Sequence, residues 1–304
     1  MIDFIGDIHG HADKLIKLLE TLGYSKKDGV YKHPKRKAFF IGDYIDRGQA
    51  IRETLMIVRG MVESGNAVAL MGNHEYNALC FHHEESEGGH LRKHHIKNII
   101  QHFETLRQFQ NRQDEYDDFL DWFLTLPLYY ETEDFRAVHA CWDNFNIKLL
   151  RSRLNNKGRM DERILRKSVK NGTKFYKAVD ETLKGKEIRM PEGLIFKDKD
   201  NTERNHIRIK WWEDPLKMTY RTISIPSLKC LKEKPIDLSE FDHQNYYKPD
   251  EKPIFFGHYW LNSYPKLYRE NVCCLDFSVA KGGYLAAYRF DGEKQLSNDK
   301  LVFV

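Results

Sequence analysis

An α/β chain built on a largely parallel sheet is what the first third of the sequence predicts. Three observations carry that expectation: short apolar runs alternate with helix-period segments, each helical segment stops at a glycine, and each apolar run breaks into a polar, glycine-led loop. Residues 2–5 (IDFI) read as a buried strand, after which Leu15, Leu18, Leu19 and Leu22 recur at helical spacing before Gly23. AFFI at 38–41 repeats the strand, and Ile51, Leu55, Val58 and Val62 mark one face of a second helix that Gly65 ends. AVALM, closing at 71, is the third strand. Strand, helix, strand, helix, strand is the grammar of parallel βαβ units, whose ligands bind beyond the carboxyl ends of the strands.

Those carboxyl ends carry the polar residues. The strands run into GDIHGH, GDYIDRG and GNHEYN, which delivers Asp7, His9, Asp43, Asp46, Arg47, Asn73, His74 and Glu75 to one edge of one sheet. A single Gly-Asp after a strand signals only a turn; three in series with histidines attached signal a site. From about 81 to 126 the chain turns charged and helical. His82, His83, His90, His94, His95 and His102 lie there, with His90 and His94, or His95 and His102, on shared helix faces. No cysteine or carboxylate accompanies them at ligand spacing, so an exposed polar helix is the expectation. FRAVH is a further strand ending at His139, and residues 144–250 form a lysine-rich insert with little periodicity before IRIKWW. PIFF at 253–256 leads into Gly257 and His258, and VCCLDF, YLAAYRF and KLVFV make a strand-rich end.

With 304 residues, 41% hydrophobic and 31% charged, the chain can fill one core and cover it with solvated side chains. We expect a single domain over 1–304, with inserts at about 81–126 and 144–250. No apolar run approaches the roughly 18 residues of a membrane span, and the MIDFI start lacks a basic flank, so a soluble, cytoplasmic protein is expected. Five cysteines without CxxC spacing fit reduced thiols. A net charge of +4 is too mild to make nucleic acid the main partner; the basic YKHPKRK at 31–37 is the exception and reads as a solvated turn.

Strand-end carboxylates, an amide oxygen and neutral imidazoles are ligands of intermediate hardness, suited to Mn²⁺, Fe, Zn²⁺ or Mg²⁺. With His139 and His258 added, the candidates are too many for one ion. Two ions roughly 3.5–4 Å apart need a bridging oxygen, which a strand-end carboxylate can supply. Arg47 adds a planar, permanently charged fork that matches phosphate.

GDIHG at 6–10, GDYIDRG at 42–48, GNHE at 72–75, VHA at 138–140 and FGH at 256–258 resemble, in order, the signature of calcineurin-like metallophosphoesterases of the phosphoprotein-phosphatase type. The closing NVCCLDFSVAKGGYLAAYRF looks like the bacterial branch, which includes diadenosine tetraphosphatases and the phosphatase modules of polynucleotide kinase-phosphatases; WWEDP at 211–215 resembles a segment of protein phosphatases. The resemblance implies a β-sandwich of two mixed sheets flanked by helices, with helical insertions, holding two divalent ions, Mn²⁺ foremost. It implies Asp7 and His9 as ligands of the first ion, Asp43 as the bridge, and Asn73, His139 and His258 at the second. It makes His74 the general acid, Asp46 the carboxylate that orients it, and Arg47 a phosphate-binding group beside Asn73, with Arg221 as a second arginine. The implied reaction is in-line attack of a bridging hydroxide on a phosphorylated protein or small phosphoester. A diadenosine tetraphosphatase-like pyrophosphohydrolase is the alternative, a binding scaffold without hydrolysis the non-enzyme reading, and nucleic-acid end processing the fourth. One departure stands out: Cys141 and Trp142 follow VHA where the family usually has glycine, and Trp142 is expected to pack under the insert in preference to stacking on substrate.

Overall fold

A computed structural model describes residues 1–191, 194–197, 203–228, 230–231, 233–237 and 245–304. The 144–250 insert therefore lies in part outside the described residues. The three early strands form as expected, at Ile2–Ile5, Lys37–Phe40 and Ala67–Ala69, with Ile2–Ile5 and Lys37–Phe40 paired in parallel and Lys37–Phe40 parallel to Ala67–Ala69. Helices Ala12–Thr21 and Ile51–Glu63 make the crossovers; the first buries Leu15, Leu18 and Leu19, the second Ile51, Leu55, Val58 and Met61. This is the 3.6-residue stripe read from the sequence, with Met61 taking the buried place expected of Val62.

Tyr284–Phe290 adds antiparallel to Ile2–Ile5, and both Asp276–Phe277 and Leu301–Phe303 pair with it. The result is a mixed six-stranded sheet. A second, four-stranded sheet runs Val272–Cys274, Ile254–Phe256, Arg136–Val138, Tyr129–Glu131, with only its last pair antiparallel. Aromatic rings fill the space between the sheets: Phe4 stacks on Phe255 at 3.7 Å, and Phe135 meets Phe4 edge-on at 5.0 Å. Burial of the alternate strand residues on these inner faces is what holds the layers together. The expected two mixed sheets flanked by helices are present.

Three expectations change. Residues 83–95 are not helical: the helices of this region are Asn73–His82, Ile96–Phe109 and Gln113–Leu124, so His90 and His94 share no helix face. Their rings instead stack at 4.0 Å. His102 is buried, not exposed, because it shares the inward face of helix Ile96–Phe109 with Thr105 and Phe109. The basic YKHPKRK turn is only partly solvated, since Arg36 folds inward and donates to the buried Asp3 at 2.8 Å. Within the insert, Ile188, Ile207, Ile209, Tyr220 and Ile223 gather into a separate small core. It is tied to the sandwich by Trp211, whose Nε1–H donates to the Ala140 carbonyl at 2.9 Å. No helix among the described residues is long and apolar enough to cross a membrane.

Candidate active site

The carboxyl ends of strands from both sheets meet at one edge, and the backbone there is strained in a telling way. Among the described residues, non-glycine residues with positive φ are His9, Asp28, Asp43, Asp46, Arg47, His258, Trp260 and Ser278. All but Asp28 belong to the strand-end loops. Left-handed backbone at non-glycine residues is costly and persists only where the surroundings enforce it, which is the signature of a site held in place. Glycine permits the closest approaches: a Cβ on Gly257 would fall 1.9 Å from Asp7 Oδ1, and one on Gly72 would fall 2.3 Å from Asp43 Oδ1.

Asp43 divides its two oxygens. Oδ1 accepts the backbone N–H of His74 at 3.0 Å, in the first turn of helix Asn73–His82. Oδ2 instead faces three imidazoles, with Nε2 of His139 at 3.4 Å, of His9 at 3.6 Å and of His74 at 4.0 Å. Asp43 thus both caps a turn and projects an oxygen into the pocket. Burial raises this carboxyl, but His139, His74 and His9 outweigh it and hold Asp43 well below the usual carboxylate range. Two groups of side chains could each hold a cation, His9–Asp43–His74 and Asp43–His139–His258, and Asp43 is common to both.

The donor set fits divalent cations on further grounds. His9 Nδ1 donates to the Ile45 carbonyl at 3.1 Å and His139 Nδ1 to the Ile41 carbonyl at 3.0 Å, which turns each Nε2 inward; the neighbouring Asp43 raises His139 to about 10 against burial. Asn73 Oδ1 lies 3.1 Å from His139 Nε2. Asp7 Oδ1, His9 Nε2 and both ring nitrogens of His258 are buried without a hydrogen-bond partner. Buried polar atoms are rarely left unpaired, and these are atoms of expected ligands. Burial together with the neighbouring His74 lowers His9 to about 3, and burial with Arg208 lowers His258 well below its ordinary value, so both imidazoles are neutral. Asp7, whose Oδ2 accepts the His258 N–H at 2.9 Å, is raised by burial and by the like charges of Asp276 and Asp43, a concentration of negative charge that a cation relieves. Asp7 is not part of either three-residue group.

Asp46 faces away from the metal-ligand cluster. Its Oδ2 accepts a hydrogen bond from His74 Nδ1, and its Oδ1 accepts from His102 Nδ1 at 2.8 Å and from Thr105 Oγ1 at 2.6 Å. His102 is held in turn by Tyr116, whose hydroxyl lies 2.9 Å from His102 Nε2. Burial alone would raise Asp46; His102 and His74 hold it well below the usual range, and for His74 the pull of Asp43 and Asp46 exceeds that of burial and raises it. Glu75, for which the sequence suggested no task, accepts the backbone N–H groups of Gly72, Asp43, Tyr44 and Ile45, locking two strand-end loops together.

Of the arginines, Arg47 has a buried, unpaired Nε and stacks its guanidinium 4.3 Å from the Trp260 ring, at the cluster's edge. Arg221 is not brought here: half exposed on the short helix Tyr220–Ile223, it pairs with Glu233 at 3.8 Å. Arg208 holds its guanidinium 5.8 Å from the ring centre of Tyr259, the neighbour in sequence of His258, which its charge depresses, and its own Nε is buried and unpaired. Its signal in the sequence was only its proximity to the KWW run. Trp142 packs against the second sheet, with the Arg136 guanidinium 5.0 Å from its ring and Tyr129 edge-on, and its Nε1–H donates to Asn144 Oδ1 at 3.1 Å.

Comparison with known proteins agrees with this geometry. Residues 1–259 match the calcineurin-like phosphoesterase family. A symmetrical bis(5'-nucleosyl)-tetraphosphatase of Marinomonas sp. is 25% identical over 96% of this chain and 94% of its own. An asymmetrical bis(5'-nucleosyl)-tetraphosphatase of Halalkalibacterium halodurans is 44% identical, over 24% of this chain and 30% of that protein. Among solved structures, a protein serine/threonine phosphatase from Saccharomyces cerevisiae aligns over the whole chain and 78% of its own, with a TM-score of 0.51 at 14% identity, a likeness of fold. With the strand-end cluster, the two-sheet core and the family match in agreement, the chain belongs to the calcineurin-like phosphoesterases, a family of metal-dependent hydrolases.

Proposed function

We propose that this hydrolase uses two divalent cations, Mn²⁺ foremost, to cleave the phosphoanhydride bonds of nucleoside polyphosphates. The observation that carries the two-ion reading is Asp43 Oδ2, which faces His9, His139 and His74 while its partner oxygen is spent on a helix N-terminus. Asp7, His9, Asp43, Asn73, His139 and His258 would hold the ions, which when bound polarise the phosphoryl oxygens and lower the pKa of water. The nucleotide reading is supported by the full-length relative named for that activity.

The chain's own residues divide the remaining work. Arg47 and Arg208 bring two guanidinium groups to the phosphoryl oxygens and hold phosphorus in line with the attacking water. Asp46, fixed by His102 and Thr105, keeps the His74 proton on Nδ1 and stabilises the imidazolium. His74 Nε2 then gives a proton to the oxygen that leaves with the electron pair of the broken P–O bond. A water proton replaces it.

The same residues serve a phosphomonoester, and the family's phosphatase branch keeps that second reading in view. Purified protein with added Mn²⁺, assayed on an aryl phosphate, phosphopeptides and a dinucleoside tetraphosphate, separates the two. Turnover of the dinucleotide by at least about tenfold in kcat/KM over the esters is expected; preference for phosphopeptides would reverse the order, and no turnover of any would leave a binding scaffold.

A further inference from the structure

Beyond the metal-ligand cluster, one indole joins two cations to the pocket wall. The Trp260 ring lies 5.4 Å from that of His9, with the Arg47 guanidinium 4.3 Å and the Lys281 ammonium 4.9 Å from its centre. Trp260 hangs directly, and Lys281 through Ser278, on one buried carboxylate. Asp276 accepts the Trp260 N–H on Oδ2 at 2.7 Å and the Ser278 N–H on Oδ1 at 3.0 Å, and the Lys281 N–H donates to the Ser278 carbonyl at 2.8 Å. Trp260 and Ser278 take left-handed backbone, at φ 53° and 60°, to complete this arrangement.

None of this is needed to hold metal or a single phosphoryl group. A stacked guanidinium spends its face on the ring and keeps its N–H edge for an anion. Lys281 is exposed, and among the described residues no carboxylate forms an ion pair with it. Positive charge therefore continues outward from Arg47 across Trp260 to Lys281, a path longer than one phosphate requires and suited to a chain of them.

We propose that Trp260 and Lys281, with Arg47, form a subsite for the phosphate next to the one attacked, making the preferred substrate a linear polyphosphate chain, nucleoside-capped or bare. The inference rests on the phosphoesterase reading and deepens it. In the reaction the water oxygen bonds to phosphorus and the anhydride P–O bond breaks. Its electron pair stays on the departing phosphate, which the subsite holds as its charge grows.

The test compares kcat/KM for a dinucleoside tetraphosphate with that for an aryl phosphate in wild type, Lys281→Ala, Lys281→Arg and Trp260→Phe, all loaded with Mn²⁺. The ratio should fall about tenfold in Lys281→Ala, as expected for one charge-assisted contact, and recover in Lys281→Arg. A ratio constant within about twofold across Lys281→Ala and Trp260→Phe overturns the subsite. Calorimetric binding of tripolyphosphate and orthophosphate gives a readout free of turnover: Lys281→Ala should weaken the first and not the second, and equal weakening also overturns it. Should wild type hydrolyse nothing, the enzymatic reading fails while the calorimetry still decides the subsite. Hydrolysis of tripolyphosphate as well as the dinucleotide marks the bare chain as ligand, of the dinucleotide alone the capped one, and either upholds the proposal.

Discussion

The strand-end pocket and the two inserts differ in how their residues come to matter. In the pocket, His9, Asp43, Asp46, Arg47 and His258 sit on strained, left-handed backbone within a few residues of a strand, so local chain geometry aims them. In the inserts, His102 and Arg208 lie on an ordinary helix and an ordinary strand, and only packing brings them to Asp46 and His258. The strand-end loops place their side chains by backbone conformation and the inserts place theirs by packing. A mutational series tests that division.

The largest effect is expected at Asp43. Asp43→Asn should lower kcat/KM by about 10³-fold or more, since several kcal/mol of charge stabilisation depend on the shared oxygen, and should reduce bound metal per chain by elemental analysis. Full metal content in that variant would argue against a common bridge. His74→Gln should retain both ions and lose about 10²–10⁴ in kcat, most for poor leaving groups; unchanged turnover of an alkyl phosphate would remove His74 from proton transfer.

Effects in the inserts should be smaller and of a different kind. Arg208→Ala should cost about ten- to a hundredfold in kcat/KM, the worth of a charged hydrogen bond, whereas Arg221→Ala should stay within about twofold. A reversal of that order would return the second arginine to Arg221. His102→Gln should lower kcat about tenfold at near-constant KM by loosening Asp46 and hence His74. Combined with His74→Gln it should add little, because both act through one imidazole; additive losses would show that His102 works elsewhere.

The same division explains what could be read without coordinates. The βαβ order, the helix stops at Gly23 and Gly65 and the strand-end placement of Asp7, Asp43 and Asn73 depend on periodicity and on neighbours in sequence, which a single chain displays. The antiparallel addition of Tyr284–Phe290 to Ile2–Ile5 has no local signal, nor does the burial of His102 by Tyr116 and Phe81. The histidine-rich stretch misleads for the same reason: helical spacing predicts shared faces, yet residues 83–95 leave the helix and form a bridge between Glu84 and His90.

From its residues alone this chain specifies a set of candidate ligands and the strand ends that present them, because short-range sterics and a two-residue strand period need nothing distant. Tertiary packing made the remaining choices. It turned one oxygen of Asp43 to a helix and the other to three imidazoles, gave Asp46 to His102 as well as His74, paired Arg221 with Glu233, and brought Arg47 and Lys281 to the Trp260 ring. Each joins residues far apart in the chain, and only a closed core makes such a contact cheaper than hydration by water.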